Sequence, residues 1–237
     1  MSTDLQAYLS RAQATTNRPL LGVTVLVVED SRFASEAMRL LCLRSGARIR
    51  RADCLRSAHR HLSTYRPGVV IIDMGLPDGC GADLIREIRQ HAVAMPVILG
   101  TSGDPEGEAM ARAAGAHGFL AKPIESLSTF QNVVLAGLPA DMRPQGLRLL
   151  PDERVEPDPI ALRDDLTHAA EVLSDTPTDA ALDYISQFLG GVARSAHDTD
   201  LARAALALSK RTERSEAREL HLLSGLVRER LASGSTF

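Results

Sequence analysis

Three short apolar runs constrain this chain more than any other feature: Val23-Thr24-Val25-Leu26-Val27-Val28, Val69-Val70-Ile71-Ile72 and Val97-Ile98-Leu99-Gly100. Runs of this length, rich in Val and Ile, suit parallel strands covered by helices on both faces. Each run ends in polar residues: Glu29 and Asp30 after the first, Asp73 after the second, Thr101 after the third. In an open parallel α/β sheet the carboxyl ends of the strands line the crevice where ligands bind. A further short strand, 118–121, brings Lys122 and Pro123 to the same end.

The segments between these runs carry a helical period. Ser31 reads as the cap of a helix ending near Ser45, with Ala34, Ala37 or Met38, and Leu41 as its buried stripe. Gly46 ends that helix, and a weak strand over 47–52 follows. Its Arg48, Arg50 and Arg51 mark it as the sheet's edge, where charge discourages pairing between molecules. Helices are expected over 55–65, 82–91, 105–114 and 127–138, with Gly115 closing the third of these. Five strands alternating with five helices give a doubly wound, five-stranded parallel sheet over residues 20–138. Upstream, 1–19 reads as a short polar helical extension around Leu5, Tyr8 and Leu9.

The texture changes at 139–159, which holds five of the twelve prolines; Leu147, Leu149 and Leu150 form its apolar cluster. Prolines at this density stiffen a segment, so 139–157 reads as a linker or as a strap over one of the domains. Beyond it the period is helical throughout, and 158–237 reads as a small all-α bundle for interaction or dimerisation. Asp158-Pro159 gives a cap with proline at the first helical position, followed by Leu162, Leu166, Ala169 and Leu173. Thr176-Pro177-Thr178-Asp179 gives a second start, and Leu182, Ile185, Leu189, Val192 and Ala196 mark one face. Gly190-Gly191 cost that helix about 1 kcal/mol each relative to alanine, which implies a kink or a close crossing. Helices over 201–210 and 215–232 complete the bundle.

Composition narrows the class. A net charge of −3 gives no bulk attraction to nucleic acid or anionic membrane. No apolar stretch approaches a membrane span, and the N-terminus lacks the apolar core of a signal peptide. Cys42, Cys54 and Cys80 show neither metal-ligand spacing nor an even disulfide framework. A reduced, cytoplasmic setting without a membrane partner is the plain expectation.

Three carboxylates, a hydroxyl and an ammonium at one strand-end crevice have the chemistry of a magnesium-assisted phosphoryl acceptor. Helix capping accounts for one strand-end acid but not for three in register with a lysine. Order and spacing resemble the receiver domain of two-component response regulators, which is CheY-like and flavodoxin-like in fold. The resemblance also rests on Val-Glu-Asp-Ser at 28–31, Asp-Met-Gly-Leu-Pro-Asp-Gly at 73–79 and Ala-Gly-Ala-His-Gly-Phe-Leu-Ala-Lys-Pro at 114–123. It implies Asp73 as phosphoacceptor with Mg2+ as cofactor. Asp30, Asp73 and the Gly75 main-chain carbonyl would be direct metal ligands, with Glu29 acting mostly through a bound water. Thr101 and Lys122 would hold phosphoryl oxygens, Lys122-Pro123 would be a cis peptide, and Phe119 would switch with Thr101. Gly75 and Gly103 lack side chains to shield the phosphoryl group, so water access and a short-lived phosphoryl state are expected.

The same resemblance implies a sensor histidine kinase or a phosphotransfer protein as donor, and a self-phosphorylating signalling domain rather than a turnover enzyme. A haloacid-dehalogenase-like phosphatase would need Asp-x-Asp after the first strand, where this chain has Glu29-Asp30-Ser31. From Asp158 onward, nine Lys or Arg stand against thirteen Asp or Glu, short of the basic footprint of a DNA reader. His168, His197 and His221 lack the Lys-Gly that follows a phosphotransfer histidine. The remaining expectation is a protein-interaction bundle, joining a second copy or a downstream protein and responding to the face formed by 105–138. A phosphate sink with a passive dimeriser and a DNA-binding transcriptional regulator are the alternatives.

Overall fold

The structure is a computed structural model that describes residues 14–92, 94–145, 152–175, 177–212 and 214–233. Five strands, β1 (Thr24–Val28), β2 (Arg48–Ala52), β3 (Val69–Asp73), β4 (Val97–Ser102) and β5 (Gly118–Ala121), form one sheet in the order β2-β1-β3-β4-β5. All four pairings are parallel. Helices α1 (Arg32–Arg44), α2 (Leu55–Thr64), α3 (Gly81–His91), α4 (Gly107–Ala114) and α5 (Leu127–Gly137) alternate with the strands. This is the flavodoxin-like doubly wound order, whose switch point lies between β1 and β3.

Alternation along the central strands divides the core in two. Val25, Val27 and Ile71 face Met38, Leu41 and Phe130 on one side. Leu26, Val28 and Ile72 face Ala58, Leu84 and Ile85 on the other. The basic strand β2 is the edge, as its arginines required. Helix α4 starts at Gly107 rather than at 105, because Asp104 Oδ1 accepts from Glu106 N at 2.9 Å and holds a turn there.

Beyond α5 the chain turns back as a strap. Leu127 N donates to Glu153 O and Val155 N to Glu125 O, and Val155 is buried in the core between α1 and α5. The expected N-terminal helix over 1–13 and the Leu147, Leu149 and Leu150 cluster lie outside the described residues. Helices α6 (Pro159–Ser174), α7 (Asp179–Ser195), α8 (Thr199–Ser209) and α9 (Glu216–Ser233) then close around Leu166, Leu182, Ile185, Leu189, Leu208 and Leu223. Asp158 and Thr178 cap α6 and α7 by accepting from Ile160 N and Ala181 N. Helix α7 runs through Gly190-Gly191 unbroken, and a β-carbon at Gly190 would stand 4.0 Å from that of Ala205. Gly190 therefore lies on the side of α7 that packs on α8, while Gly191 faces Lys122. No helix among the described residues is long and apolar enough to cross a membrane.

Candidate phosphoacceptor site

The sheet ladder carries each candidate side chain to the same end. Glu29 N still donates to Ala52 O, so Glu29 and Asp30 leave β1 in register with the edge strand. Asp73 ends β3 opposite Thr101 of β4, and Met74 N donates to Thr101 O. Lys122 N donates to Ser102 O, and the Lys122-Pro123 peptide is cis. Gly81 sits so close that a β-carbon there would lie 1.9 Å from the Asp73 carbonyl oxygen. Only glycine lets α3 begin against the end of β3.

Lys122 bridges two carboxylates. Its Nζ lies 2.6 Å from Asp73 Oδ2 and 2.7 Å from Glu29 Oε2, and all three residues are buried. Burial works against the ammonium, but Asp73 and Glu29 outweigh it and raise the lysine's pKa. Burial and the Asp73 charge push Asp30 up to about 7, with Lys122 and Tyr184 pulling it back only in part. Glu29 is raised for the same two leading reasons. One oxygen from each of Glu29, Asp30 and Asp73 can be drawn within 4.8 Å of the others, an all-oxygen set of the kind that suits a hard divalent cation. Thr101 is fully buried, and its hydroxyl has no hydrogen-bond partner among the described residues. Gly75 N points at Asp73 Oδ1 from 3.3 Å. Phe119 is half-buried against Gly100, where a β-carbon would meet its Cδ2 at 3.2 Å.

Glu29, Asp30, Asp73 and Lys122 thus line one crevice, with the buried Thr101 beside Asp73 on the neighbouring strand and Phe119 behind. Sequence reasoning missed the roof over that crevice, which comes from α6 and α7. Asp165 accepts from Ser31 Oγ at 2.7 Å, Arg32 N at 2.8 Å and Phe33 N at 3.0 Å, capping α1 from another domain. Tyr184 Oη donates to Asp30 Oδ2 at 2.8 Å. A β-carbon at Gly75 would meet Gln187 Oε1 at 3.0 Å, and one at Gly103 would meet Arg194 Nη1 at 2.7 Å. Tail side chains thus stand where those of residues 75 and 103 would be. The tail sits on α1 and the crevice, and its His197 also meets Glu125 within 105–138. Between roof and floor lies a cleft of about 590 Å³ lined by Asp30, Asp73, Lys122, Tyr184, Gln187 and Arg194. Asp165 left one signal in the sequence, an acid on the same helical face as Leu162 and Ala169.

The sequence profile of the response regulator receiver domain matches residues 25–133. Residues 25–133 are a receiver domain. The match stops short of α6. Among curated proteins, the receiver is similar to the KDP operon transcriptional regulatory protein KdpE of Escherichia coli. The two are 32% identical over 99 residues, which is 42% of this chain and 44% of that protein. Similarity to the virulence transcriptional regulatory protein PhoP of Salmonella typhimurium is also 32%, over 42% of this chain and 45% of PhoP. The chain thus spans less than half the length of these curated relatives. A solved structure of a putative response regulator from Chloroflexus aurantiacus is 31% identical over 43% of this chain and 85% of its own, with a TM-score of 0.40. Relatives of this receiver are response regulators of two-component systems.

Proposed function

We propose that Asp73 accepts a phosphoryl group from a histidine kinase or phosphotransfer protein, with Mg2+ present, and that receiver and tail signal through protein contacts. The observation that carries this reading is the buried Lys122 bridge between Asp73 and Glu29, beside a third carboxylate and an unpartnered Thr101 hydroxyl. The oxygen donors fit Mg2+: Asp30, Asp73 and the Gly75 carbonyl would hold it directly, Glu29 mostly through water. Bound there, it would offset charge on the phosphoryl oxygens.

In the transfer, a carboxylate oxygen of Asp73 attacks phosphorus as the bond to the donor imidazole nitrogen breaks. That nitrogen keeps the electron pair and takes a proton from solvent. Lys122 turns from Asp73 to a phosphoryl oxygen, and the Thr101 hydroxyl donates to another. Phe119 follows Thr101 inward, carrying the change to the surface. The chain phosphorylates itself once per donor and acts as a signalling domain, not a turnover enzyme. KdpE and PhoP are described as transcriptional regulators, but the acidic tail favours a protein target over DNA.

Light scattering coupled to gel filtration, with Mg2+ and with or without beryllofluoride, tests the output. A mass change that requires both Asp73 and the tail supports phosphorylation-gated assembly. An unchanged mass with beryllofluoride bound leaves a phosphate sink, or a partner of another kind, as the output.

A further inference from the structure

We propose that Arg194 of α7 reads the phosphoryl group of the receiver: it pairs with phosphoryl oxygens on Asp73, so that phosphorylation fastens the tail more tightly over the crevice. The inference rests on Asp73 as acceptor and adds the tail's response to it. Its first support is an unspent charge. Arg194 is half-buried and lines the cleft together with Asp73 and Lys122. Among the described residues its guanidinium meets one acceptor, the Gly190 carbonyl of its own helix at 3.5 Å, and no carboxylate. Two other tail arginines of low exposure are paired, Arg211 with Asp183 at 2.6 Å and Arg230 with Asp198 at 2.7 Å. A second support is position. A β-carbon at Gly103, two residues after Thr101, would meet Arg194 Nη1 at 2.7 Å. One at Gly191, a turn earlier on the same helical face, would lie 3.7 Å from Lys122 Nζ. The guanidinium thus stands on the Thr101 side of the crevice, one turn along from the point where α7 passes the ammonium.

Charge gives the direction of the effect. Phosphorylation replaces a singly charged carboxylate by an acyl phosphate dianion, so the floor of the cleft gains about one negative charge. An unpaired cation on the roof is drawn toward it, and phosphoryl oxygens accept the guanidinium's N–H groups in charge-assisted hydrogen bonds. The roof's acids are already engaged: Asp165 takes the amides of Arg32 and Phe33, and Asp183 takes Arg211. Arg194 is therefore the roof charge left free to answer the new one. The coupling is reciprocal: a contact that tightens docking on phosphorylation also tightens a phosphoryl mimic while the tail is docked.

The test uses the full chain with Mg2+, with and without beryllofluoride as the probe, and bound probe is counted by fluorine NMR. Hydrogen exchange at Arg32 N and Phe33 N, whose acceptors are the Asp165 oxygens, reads tail docking, with Ala34 N as the reference inside the receiver. On the unmodified chain, saturating beryllofluoride should raise the protection of both amides over that of Ala34 by about fivefold or more. Arg194→Ala should bind beryllofluoride more weakly by a similar factor and show no such gain, while Arg194→Lys keeps part of it. No gain, or a fall, on the unmodified chain with beryllofluoride bound overturns the inference. So does an undiminished gain in Arg194→Ala. Lost protection in that variant before beryllofluoride is added overturns it too, since Arg194 would then fasten the resting state. No bound fluorine signal on the unmodified chain, or a signal that persists in Asp73→Asn, overturns the acceptor assignment and this inference with it.

Discussion

Replacing Asp165 by alanine should strip the hydrogen-exchange protection from two backbone amides 132 or more residues away in sequence. Arg32 N and Phe33 N open helix α1, where no earlier turn supplies acceptors, and Asp165 Oδ1 and Oδ2 take their hydrogen bonds. Hydrogen bonds to an ionised acceptor contribute roughly 1.5–3 kcal/mol each. Burial offsets part of this, since desolvation raises the Asp165 pKa even though three donors pull it back. A net loss of about 2–4 kcal/mol corresponds to protection lower by about 30- to 800-fold. Residue-resolved hydrogen exchange by NMR reads this directly, with Ala34 N, held by Ser31 Oγ within the receiver, as the internal reference. Asp165→Asn keeps one oxygen acceptor and should lose less. Protection unchanged to within about threefold, below 1 kcal/mol, would refute the claim that Asp165 caps α1 and docks the tail.

Other consequences concern the site and the core. Lys122→Ala leaves Glu29 and Asp73 buried without their cation and should cost about 3–5 kcal/mol in urea denaturation near neutral pH; a loss under about 1 kcal/mol would contradict the bridge. Gly81→Ala forces a β-carbon into the Asp73 carbonyl and should destabilise the fold by about 1–3 kcal/mol, measured by thermal unfolding, because backbone rather than a flexible side chain must move. In the metal-free chain Asp30 holds a proton up to about 7, against an ordinary 3.8. The folded state binds that proton where the unfolded chain has lost it, so its contribution to stability falls as pH rises through this window. Mg2+ must displace the same proton, so calorimetric affinity should drop as pH falls below about 7. Cys42 is fully buried with its thiol pushed up to about 12, so iodoacetamide should label it only on unfolding.

What is legible in the sequence follows from which signals are periodic. Fully buried parallel strands are continuous apolar runs, and polar residues at their ends stand out against them. That is why Asp30, Asp73 and Thr101 can be placed at strand ends from the amino-acid order alone. Ser31 is readable as a cap, but the sequence does not disclose that its hydroxyl hydrogen is given to Asp165, because that contact crosses 134 positions. Helix α7 carries two stripes. The aliphatic one, Leu182, Ile185, Leu189 and Val192, is visible to hydrophobic periodicity. The second, Tyr184, Gln187, Gly191 and Arg194, contains no aliphatic residue and reads as a solvated face until the receiver is set against it. Gly75 and Gly103 look like gaps for the same reason: local sequence shows an absent side chain but not the neighbour that fills its place.

The most direct test of the acceptor assignment is to load the full chain with a phosphoryl donor and Mg2+, reduce the acyl phosphate with borohydride, and locate the product by peptide mass spectrometry. The expected result is a single aspartate converted to homoserine, at position 73, and none when Mg2+ is chelated. Conversion at Asp30 instead, or labelling that persists in Asp73→Asn, would contradict it.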